Sequence, residues 1–219
     1  MDPDVDRLVL ICEDGSFFGE EYTIVAITKY ILSRYPNSSV VSNLSTTSAV
    51  RDVAYEMGAK HYESAVGEIN VVELMKENKS IIGGEGSGGV IFSLSHYGRD
   101  ALVGIALFLS YLANLNKTMT ELKDILPSYH MLKEKILIPK NLKFHFDDFV
   151  SHQIQICHQN QLEFVLIDGI KIYYSDRSWS HIRISNTEPL IRLIIESNSS
   201  QRNKEIKKSL ISVINNYLK

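Results

Sequence analysis

Three carboxylates stand at alternate positions at the start of the chain: Asp2, Asp4 and Asp6, with Arg7 directly after them. In an extended segment such side chains share a face, and a curved loop can bring all three to one cation. Oxygen ligands select a hard metal, so the spacing predicts an Mg²⁺ site with one position left for a phosphate oxygen. A solvated acidic segment is the alternative without a metal. An EF-hand loop is excluded because Arg7 replaces its required glycine.

The second group is the glycine-rich segment 83–89, Gly-Gly-Glu-Gly-Ser-Gly-Gly. It lacks the lysine-serine ending and the following helix of a P-loop. Glycines let a ligand come close to the backbone. We therefore predict that Glu85 and Ser87 act as acceptor and donor for vicinal hydroxyls. A mobile turn without a ligand is the alternative.

The third group is the segment 183–189, Arg-Ile-Ser-Asn-Thr-Glu-Pro, with an arginine three residues beyond it. Guanidinium groups, hydroxyls and backbone N–H groups are the donors that a phosphate dianion binds. The segment therefore predicts a phosphate-binding loop, and a surface turn with Arg183 paired to Glu188 is the alternative. The candidate phosphate ligands are Arg183, Ser185, Asn186, Thr187 and Arg192.

Short apolar strands alternate with helical patterns around the first two groups. Such alternation predicts an α/β layered domain with a mixed, mainly parallel sheet. Apolar residues cover nearly the whole circumference of the helix predicted over 99–115, so we expect that helix to be buried on most sides. The predicted strands are 8–12, 40–41, 61–62, 80–82 and 90–93, and the predicted helices are 20–34, 46–57, 68–77, 99–115 and 120–126.

The pattern changes after Pro127, where we place a domain boundary. Strands joined by turns such as Asp168-Gly169 predict an α+β domain with an antiparallel sheet and helices on one face. The predicted strands are 131–138, 163–167, 171–174, 180–184 and 191–196, and the predicted helices are 147–160 and 203–218.

Composition excludes several classes of protein. With 219 residues, 44% hydrophobic and 22% charged, the chain has an ordinary globular composition. Its most apolar stretch, 101–115, is shorter than the ~20 residues that span a bilayer. Its basic residues are too dispersed for a nucleic-acid surface. Cys12 and Cys157 lack a pairing pattern and are predicted to be free thiols, so we expect a cytoplasmic protein with neither membrane nor nucleic-acid partners.

Taken in this order, the three groups resemble the α-D-phosphohexomutase superfamily, which includes phosphoglucomutases, phosphomannomutases and phosphoglucosamine mutases. Residues 2–7 match the family's metal loop, Asp-x-Asp-x-Asp-Arg, and residues 84–88 match its sugar loop, Gly-Glu-x-Ser-Gly. Residues 183–189 are similar to its phosphate loop. Segments 66–73 and 98–100 resemble the phosphoglucosamine-mutase-like branch. The resemblance spans essentially the whole chain.

The resemblance implies the C-terminal half of a four-domain enzyme: 1–7 as the tail of domain two, 8–127 as domain three and 128–219 as domain four. Family enzymes interconvert hexose 1- and 6-phosphates through a phosphoserine and a hexose bisphosphate. The family's Ser-His-Asn-Pro loop is not in this sequence, and Ser95-His96 and Ser180-His181 lack the Asn-Pro ending. We therefore expect this chain to need the N-terminal domains, in cis or in trans, for turnover.

The resemblance also implies a role for each matching residue. Gly89 departs from many relatives, which carry a histidine there, so the group that assists proton transfer stays open. Three alternatives also stay open: a glucose- or mannose-directed mutase, a non-catalytic sugar-phosphate-binding module, and half of a split enzyme. The implied roles are Mg²⁺ ligation by Asp2, Asp4 and Asp6, charge stabilisation by Arg7, hydroxyl recognition by Glu85 and Ser87, and phosphate binding by Arg183, Ser185, Asn186, Thr187 and Arg192.

Overall fold

The computed structural model describes residues 1–185 and 187–218. The chain divides into two compact units, Met1–Ser128 and Tyr129–Lys219, and the predicted boundary after Pro127 lies close to this division. Within the described residues, every helix is too short or too polar to cross a membrane.

A four-stranded sheet forms the centre of the first unit. Strand β1 (Ser39–Asn43) pairs in parallel with β2 (Lys60–Ser64) and with β3 (Ile82–Glu85). Strand β4 (Gly89–Phe92) adds antiparallel to β3, which gives the order β2-β1-β3-β4. The predicted mixed, mainly parallel sheet is confirmed.

Helices cover both faces of this sheet. An ideal Cβ on Gly83 would lie 2.5 Å from Sδ of Met75, and one on Gly84 would lie 3.0 Å from Cδ1 of Ile24. Successive strand residues point to opposite faces, so the helix that carries Met75 and the helix that carries Ile24 lie on opposite sides of β3. The helices of the unit are α1 (Glu20–Arg34), α2 (Ala49–Glu56), α3 (Glu68–Glu77), α4 (Ala101–Leu115) and α5 (Met119–Asp124).

Some local predictions for this unit are wrong, and the strand predicted at 80–82 lies instead at Ile82–Glu85. Residues 8–12 form no strand but one arm of a hairpin, held by a single bridge between Ile11 and Phe17. Helix α4 packs inward through residues such as Phe108, whose ring lies 5.0 Å from that of Phe18. Its other side leaves Leu102 and Leu109 59% and 58% exposed, because no described element covers that side.

The second unit is a five-stranded antiparallel sheet in the order β5-β9-β8-β7-β6. Phe149 from helix α6 and Leu210 from helix α7 pack in one core with Ile182 and Leu193 of the sheet. The predicted α+β arrangement with helices on one face is confirmed. The elements are β5 (His130–Leu137), α6 (Phe146–Asn160), β6 (Glu163–Val165), β7 (Ile170–Tyr173), β8 (Trp179–Ile184), β9 (Leu190–Ser197) and α7 (Ser200–Asn216).

The other face of this sheet carries aromatic and charged side chains. Strand alternation places Trp179, His181 and Arg183 opposite to the core residue Ile182. Trp179 and His181 are fully buried, and Trp179 Nε1 donates a 2.7 Å hydrogen bond to Glu196 Oε1. This polar face is therefore ordered by hydrogen bonds as well as by packing.

Candidate active site

The structure brings the first two predicted groups together. We call residues 2–7 the acidic loop and residues 83–89 the glycine hairpin. Leu8 N, just after the acidic loop, donates a 3.0 Å hydrogen bond to Gly88 O, and Arg7 forms an antiparallel bridge with Gly89. The end of the acidic loop therefore lies alongside the turn of the glycine hairpin.

Within the acidic loop, Asp2 is turned inward. Its Oδ1 accepts hydrogen bonds from the backbone N–H groups of Asp6 (3.3 Å) and Arg7 (3.1 Å), and its Oδ2 accepts one from Arg7 Nε (2.7 Å). Desolvation raises the pKa of Asp2, but these hydrogen bonds outweigh it and lower the pKa to about 2. Asp4 is exposed. Asp2 and Asp6 therefore lie on either side of Arg7 Nε, whereas Asp4 is exposed to solvent.

The fit of these residues to Mg²⁺ is partial. No group of three acidic, histidine or cysteine side chains in the described residues is arranged to hold a metal ion. Asp6 Oδ1 is buried without a hydrogen-bond donor among the described residues, and Arg7 Nε lies 3.5 Å from it. A buried carboxylate oxygen without a donor suits a cation. Asp2 would have to release Arg7 before it could join Asp6, so the Mg²⁺ site stays a prediction.

Glu85 lies at the end of β3, with its side chain 7% exposed. Its Oε1 accepts hydrogen bonds from Asn43 Nδ2 (2.7 Å) and Gly67 N (3.1 Å), and its Oε2 accepts one from Arg99 Nη1 (2.6 Å). Both carboxylate oxygens therefore have protein donors. Ser87, in the turn, is half-buried. A sugar hydroxyl at Glu85 would share or displace one of these donors.

The turn of the glycine hairpin is held by residues that follow β1 and begin α1. Gly86 N donates a 3.1 Å hydrogen bond to Thr46 Oγ1, and Thr47 N donates a 3.0 Å bond to Glu21 Oε2. A Cβ on Gly86 would overlap the Glu21 carboxylate. The position of the turn is therefore built into the unit rather than left to a mobile loop.

Arg99 belongs to none of the three predicted groups, yet it contacts two of them. Its Nη2 lies 2.5 Å from Asp6 Oδ2, its Nη1 donates to Glu85, and its Nε lies 3.3 Å from Glu68 Oε2. One guanidinium thus contacts both the acidic loop and the glycine hairpin. The available signal was the resemblance of segment 98–100 to the phosphoglucosamine-mutase-like branch, which does not show what the arginine contacts.

In the second unit, three cations stand in one row across the sheet. Arg183 of β8 is directly opposite Arg192 of β9, and Arg192 is directly opposite Lys135 of β5. Directly opposed residues share a face, and like charges placed so destabilise the sheet in the absence of an anion. We call Lys135, Arg192 and Arg183 the cation row. The sequence does not indicate Lys135 as a phosphate ligand, because only the pairing of β5 with β9 brings it beside Arg192.

Carboxylates balance part of this charge. Glu188 Oε2 accepts a 2.7 Å hydrogen bond from Arg192 Nη2 and lies 3.8 Å from Lys135 Nζ. Asp168 Oδ2 lies 3.9 Å from Arg183 Nε. The Nε atoms of Arg183 and Arg192 are buried and donate no hydrogen bond to the described residues. The two carboxylates therefore leave a net positive charge on the three side chains of the row.

The remaining predicted phosphate ligands follow β8. Ser185 is buried, and its backbone N donates a 2.9 Å hydrogen bond to Leu190 O. Thr187 is exposed. Asn186 lies outside the described residues. The structure therefore places Ser185 next to the strand that carries Arg183.

The two units match models of one protein family. Residues 19–129 match the family model for the phosphoglucomutase/phosphomannomutase alpha/beta/alpha domain III, and residues 130–213 match the model for the C-terminal domain. The chain belongs to the phosphoglucomutase/phosphomannomutase family. The resemblance seen in the sequence is confirmed.

Among curated relatives, a phosphoglucomutase/phosphomannomutase of Thermococcus kodakarensis is 31% identical over 218 residues, which are 100% of this chain and 47% of that protein. A phosphoglucosamine mutase of Methanococcus maripaludis (strain C5) is 28% identical over 213 residues, which are 97% of this chain and 47% of that protein. The chain thus spans about half the length of the curated relatives it matches.

Solved structures share the fold. A phosphoglucomutase/phosphomannomutase family protein from Burkholderia thailandensis superposes with a TM-score of 0.79 at 23% identity, over 97% of this chain and 45% of that one. An Aspergillus fumigatus N-acetylphosphoglucosamine mutase, solved with GlcNAc-6P and magnesium, gives a TM-score of 0.70 at 13% identity, over 98% of this chain and 51% of that one.

Proposed function

We propose that this chain carries the sugar- and phosphate-binding domains of a phosphohexomutase that interconverts hexose 1- and 6-phosphates. The observation that carries the proposal is the cation row, because three positive side chains in one line across the sheet suit a phosphate dianion. Family membership supports the same reaction class. The names of several relatives favour glucosamine phosphate over glucose or mannose phosphate as the substrate.

In the proposed reaction, a phosphoryl group leaves a phosphoserine oxygen outside these residues and bonds to a sugar hydroxyl. The reverse transfer then takes the phosphoryl group at the other end of the bisphosphate. Catalysis of such a transfer rests on positioning and on charge neutralisation. The cation row, with Ser185, Asn186 and Thr187, holds the phosphate that is not transferred. Glu85 and Ser87 orient sugar hydroxyls.

In this proposal the acidic loop binds the metal cation. Mg²⁺ bound there would neutralise charge on the transferring phosphoryl group. Of the three aspartates, Asp6 fits Mg²⁺ best, because its Oδ1 is buried without a hydrogen-bond donor among the described residues. Asp2 and Asp4 would complete the ligand set. Arg7 would add a positive charge beside the same group. The magnesium in the Aspergillus fumigatus mutase structure supports the choice of metal.

Phosphate binding can be tested by isothermal titration of the chain with glucosamine 6-phosphate. We expect Arg183→Gln to weaken binding about 10- to 100-fold, as the loss of a charge-assisted hydrogen bond does. The matched control is Arg177→Gln, which removes the same charge from an exposed turn before β8 and should bind like the parent. Equal affinity of Arg183→Gln and the parent would contradict the proposed phosphate site.

A non-catalytic sugar-phosphate-binding module is the second candidate. It is favoured by one observation: no Ser-His-Asn-Pro segment occurs in the 219 residues. This candidate predicts the same binding isotherms, but no turnover when the family's phosphoserine domain is added. An assay of turnover in the mixture therefore distinguishes the two candidates, whereas a binding experiment does not.

A further inference from the structure

We propose that Arg99 is a positioning residue that holds the acidic loop and the glycine hairpin in the arrangement that binds the sugar. This inference rests on the proposed function. In this role Arg99 contacts neither the sugar nor the phosphate. It holds in place the groups that make those contacts.

The guanidinium joins the two loops through different nitrogen atoms. Nη2 lies 2.5 Å from Asp6 Oδ2, and Nη1 lies 2.6 Å from Glu85 Oε2. A planar guanidinium can bond two separate carboxylates at once, whereas a lysine ammonium is a single compact charge on a flexible stem. An arginine therefore suits this pair of contacts better than a lysine, which could keep only part of them.

The backbone of Arg99 is fixed on both sides of the residue. Arg99 forms an antiparallel bridge with Ile91 of β4, and its N donates a 2.8 Å hydrogen bond to Glu68 Oε1. The next residue, Asp100, caps α4 by accepting hydrogen bonds from Leu102 N and Val103 N. The side chain thus extends from a rigid junction between a strand and a helix.

Gly89 supplies the space that the Arg99 side chain occupies. An ideal Cβ on Gly89 would overlap Arg99 Cδ and would lie 3.2 Å from Arg99 Cγ. A side chain at position 89 and the observed path of Arg99 therefore exclude each other. This explains why a glycine ends the hairpin at a position that also bridges Arg7.

Loss of Arg99 would affect the sugar-binding part of the chain. Glu85 Oε2 accepts its hydrogen bond from Arg99, while the other oxygen keeps Asn43 and Gly67. Glu85 could then rotate, and Asp6 would no longer be tied to the hairpin. The cation row belongs to the second unit and shares no residue with these contacts. We therefore expect sugar binding and phosphate binding to respond differently.

The first test compares two ligands by isothermal titration: glucosamine 6-phosphate and inorganic phosphate. For Arg99→Met we expect affinity for glucosamine 6-phosphate to fall at least about tenfold, with partial recovery in Arg99→Lys, and affinity for inorganic phosphate to stay unchanged. The control is Arg51→Met, since the ion partner of Arg51 is the neighbouring Asp52 rather than a residue of either loop. Parent-like binding by Arg99→Met, or equal loss of both ligands, would overturn the proposal.

The second test is a double-mutant cycle between positions 89 and 99, read by thermal melting and by the same titrations. Gly89→Ala should lower both the melting temperature and the sugar-phosphate affinity when Arg99 is present, and should add little in an Arg99→Ala background. Equal effects in both backgrounds would show that the two positions are independent. If the parent binds glucosamine 6-phosphate no more tightly than inorganic phosphate, that result contradicts sugar binding itself. The melting temperatures of the four proteins in the cycle would still report on the contact between positions 89 and 99.

Discussion

Asn43 supports the buried carboxylate of Glu85. Its Nδ2 donates to Glu85 Oε1 at 2.7 Å, and its Oδ1 accepts a 2.9 Å hydrogen bond from Ser45 N. Because Asn43→Ala removes a donor from a buried charge, we expect the free energy of unfolding to fall by ~1–3 kcal/mol in urea denaturation. Asn37→Ala, at an exposed position, is the control and should change it by less than ~0.5 kcal/mol. Similar changes in both variants would contradict this role.

His181 makes the stability of the second unit depend on pH. Burial lowers its pKa from the ordinary 6.5 to about 4, although its ring is hydrogen-bonded to the Asp168 carbonyl oxygen. Between these pH values the unfolded chain binds more protons than the folded chain. Stability is therefore fully present above about pH 6.5 and is lost as the pH falls towards 4, by at most ~3 kcal/mol.

The measurement for His181 is urea denaturation at several pH values between 7 and 4. His181→Gln keeps a polar side chain but does not titrate, so its stability should depend less steeply on pH than that of the parent. Parallel curves for the two proteins would show that other groups cause the loss.

At the level of residues, the sequence indicates candidate residues where a motif is contiguous. Asp2, Asp6, Glu85 and Arg183 were named from local spacing. Their roles as ligands stay predictions. Arg99 was not named, because its importance comes from partners that the chain brings back from distant segments, and a single arginine before a helix has no spacing to mark it.

At the level of elements, Asp100 is the residue that starts α4. Its carboxylate accepts hydrogen bonds from two backbone N–H groups of the first turn, and the hydrogen bond from His96 lowers its pKa. We expect Asp100→Ala to reduce the free energy of unfolding by ~1 kcal/mol, the usual cost of losing such a cap. Asp124→Ala, at the exposed end of α5, is the matched control. An unchanged Asp100→Ala variant would contradict the capping role.

Elements defined by local periodicity were predicted well. The helices at 20–34 and 68–77 have the bounds that the apolar spacing indicated. Strand β3 instead extends through Gly83 and Gly84 to Glu85, because β4 pairs with it along that length. The sequence could not show this pairing, since glycines there look like a loop. The apolar run 8–12 shows the converse, because it predicts a strand but has too few pairing partners in the described residues to form one.

At the level of the whole molecule, the two units divide the proposed chemistry. The first unit carries the acidic loop and the glycine hairpin, and the second carries the cation row. The family models match the two units as separate domains of one family. Under the proposed function, neither unit supplies the phosphoryl donor. Turnover should therefore depend on a polypeptide that carries the phosphoserine.

The most direct test of the account is a phosphomutase assay with glucosamine 6-phosphate and Mg²⁺. It compares this chain alone with this chain mixed with the N-terminal half of the Thermococcus kodakarensis relative, phosphorylated on its serine. We expect product only in the mixture, and its loss when the chain carries Arg183→Gln. Turnover by the chain alone, or none in a mixture shown to form a complex, would contradict the account.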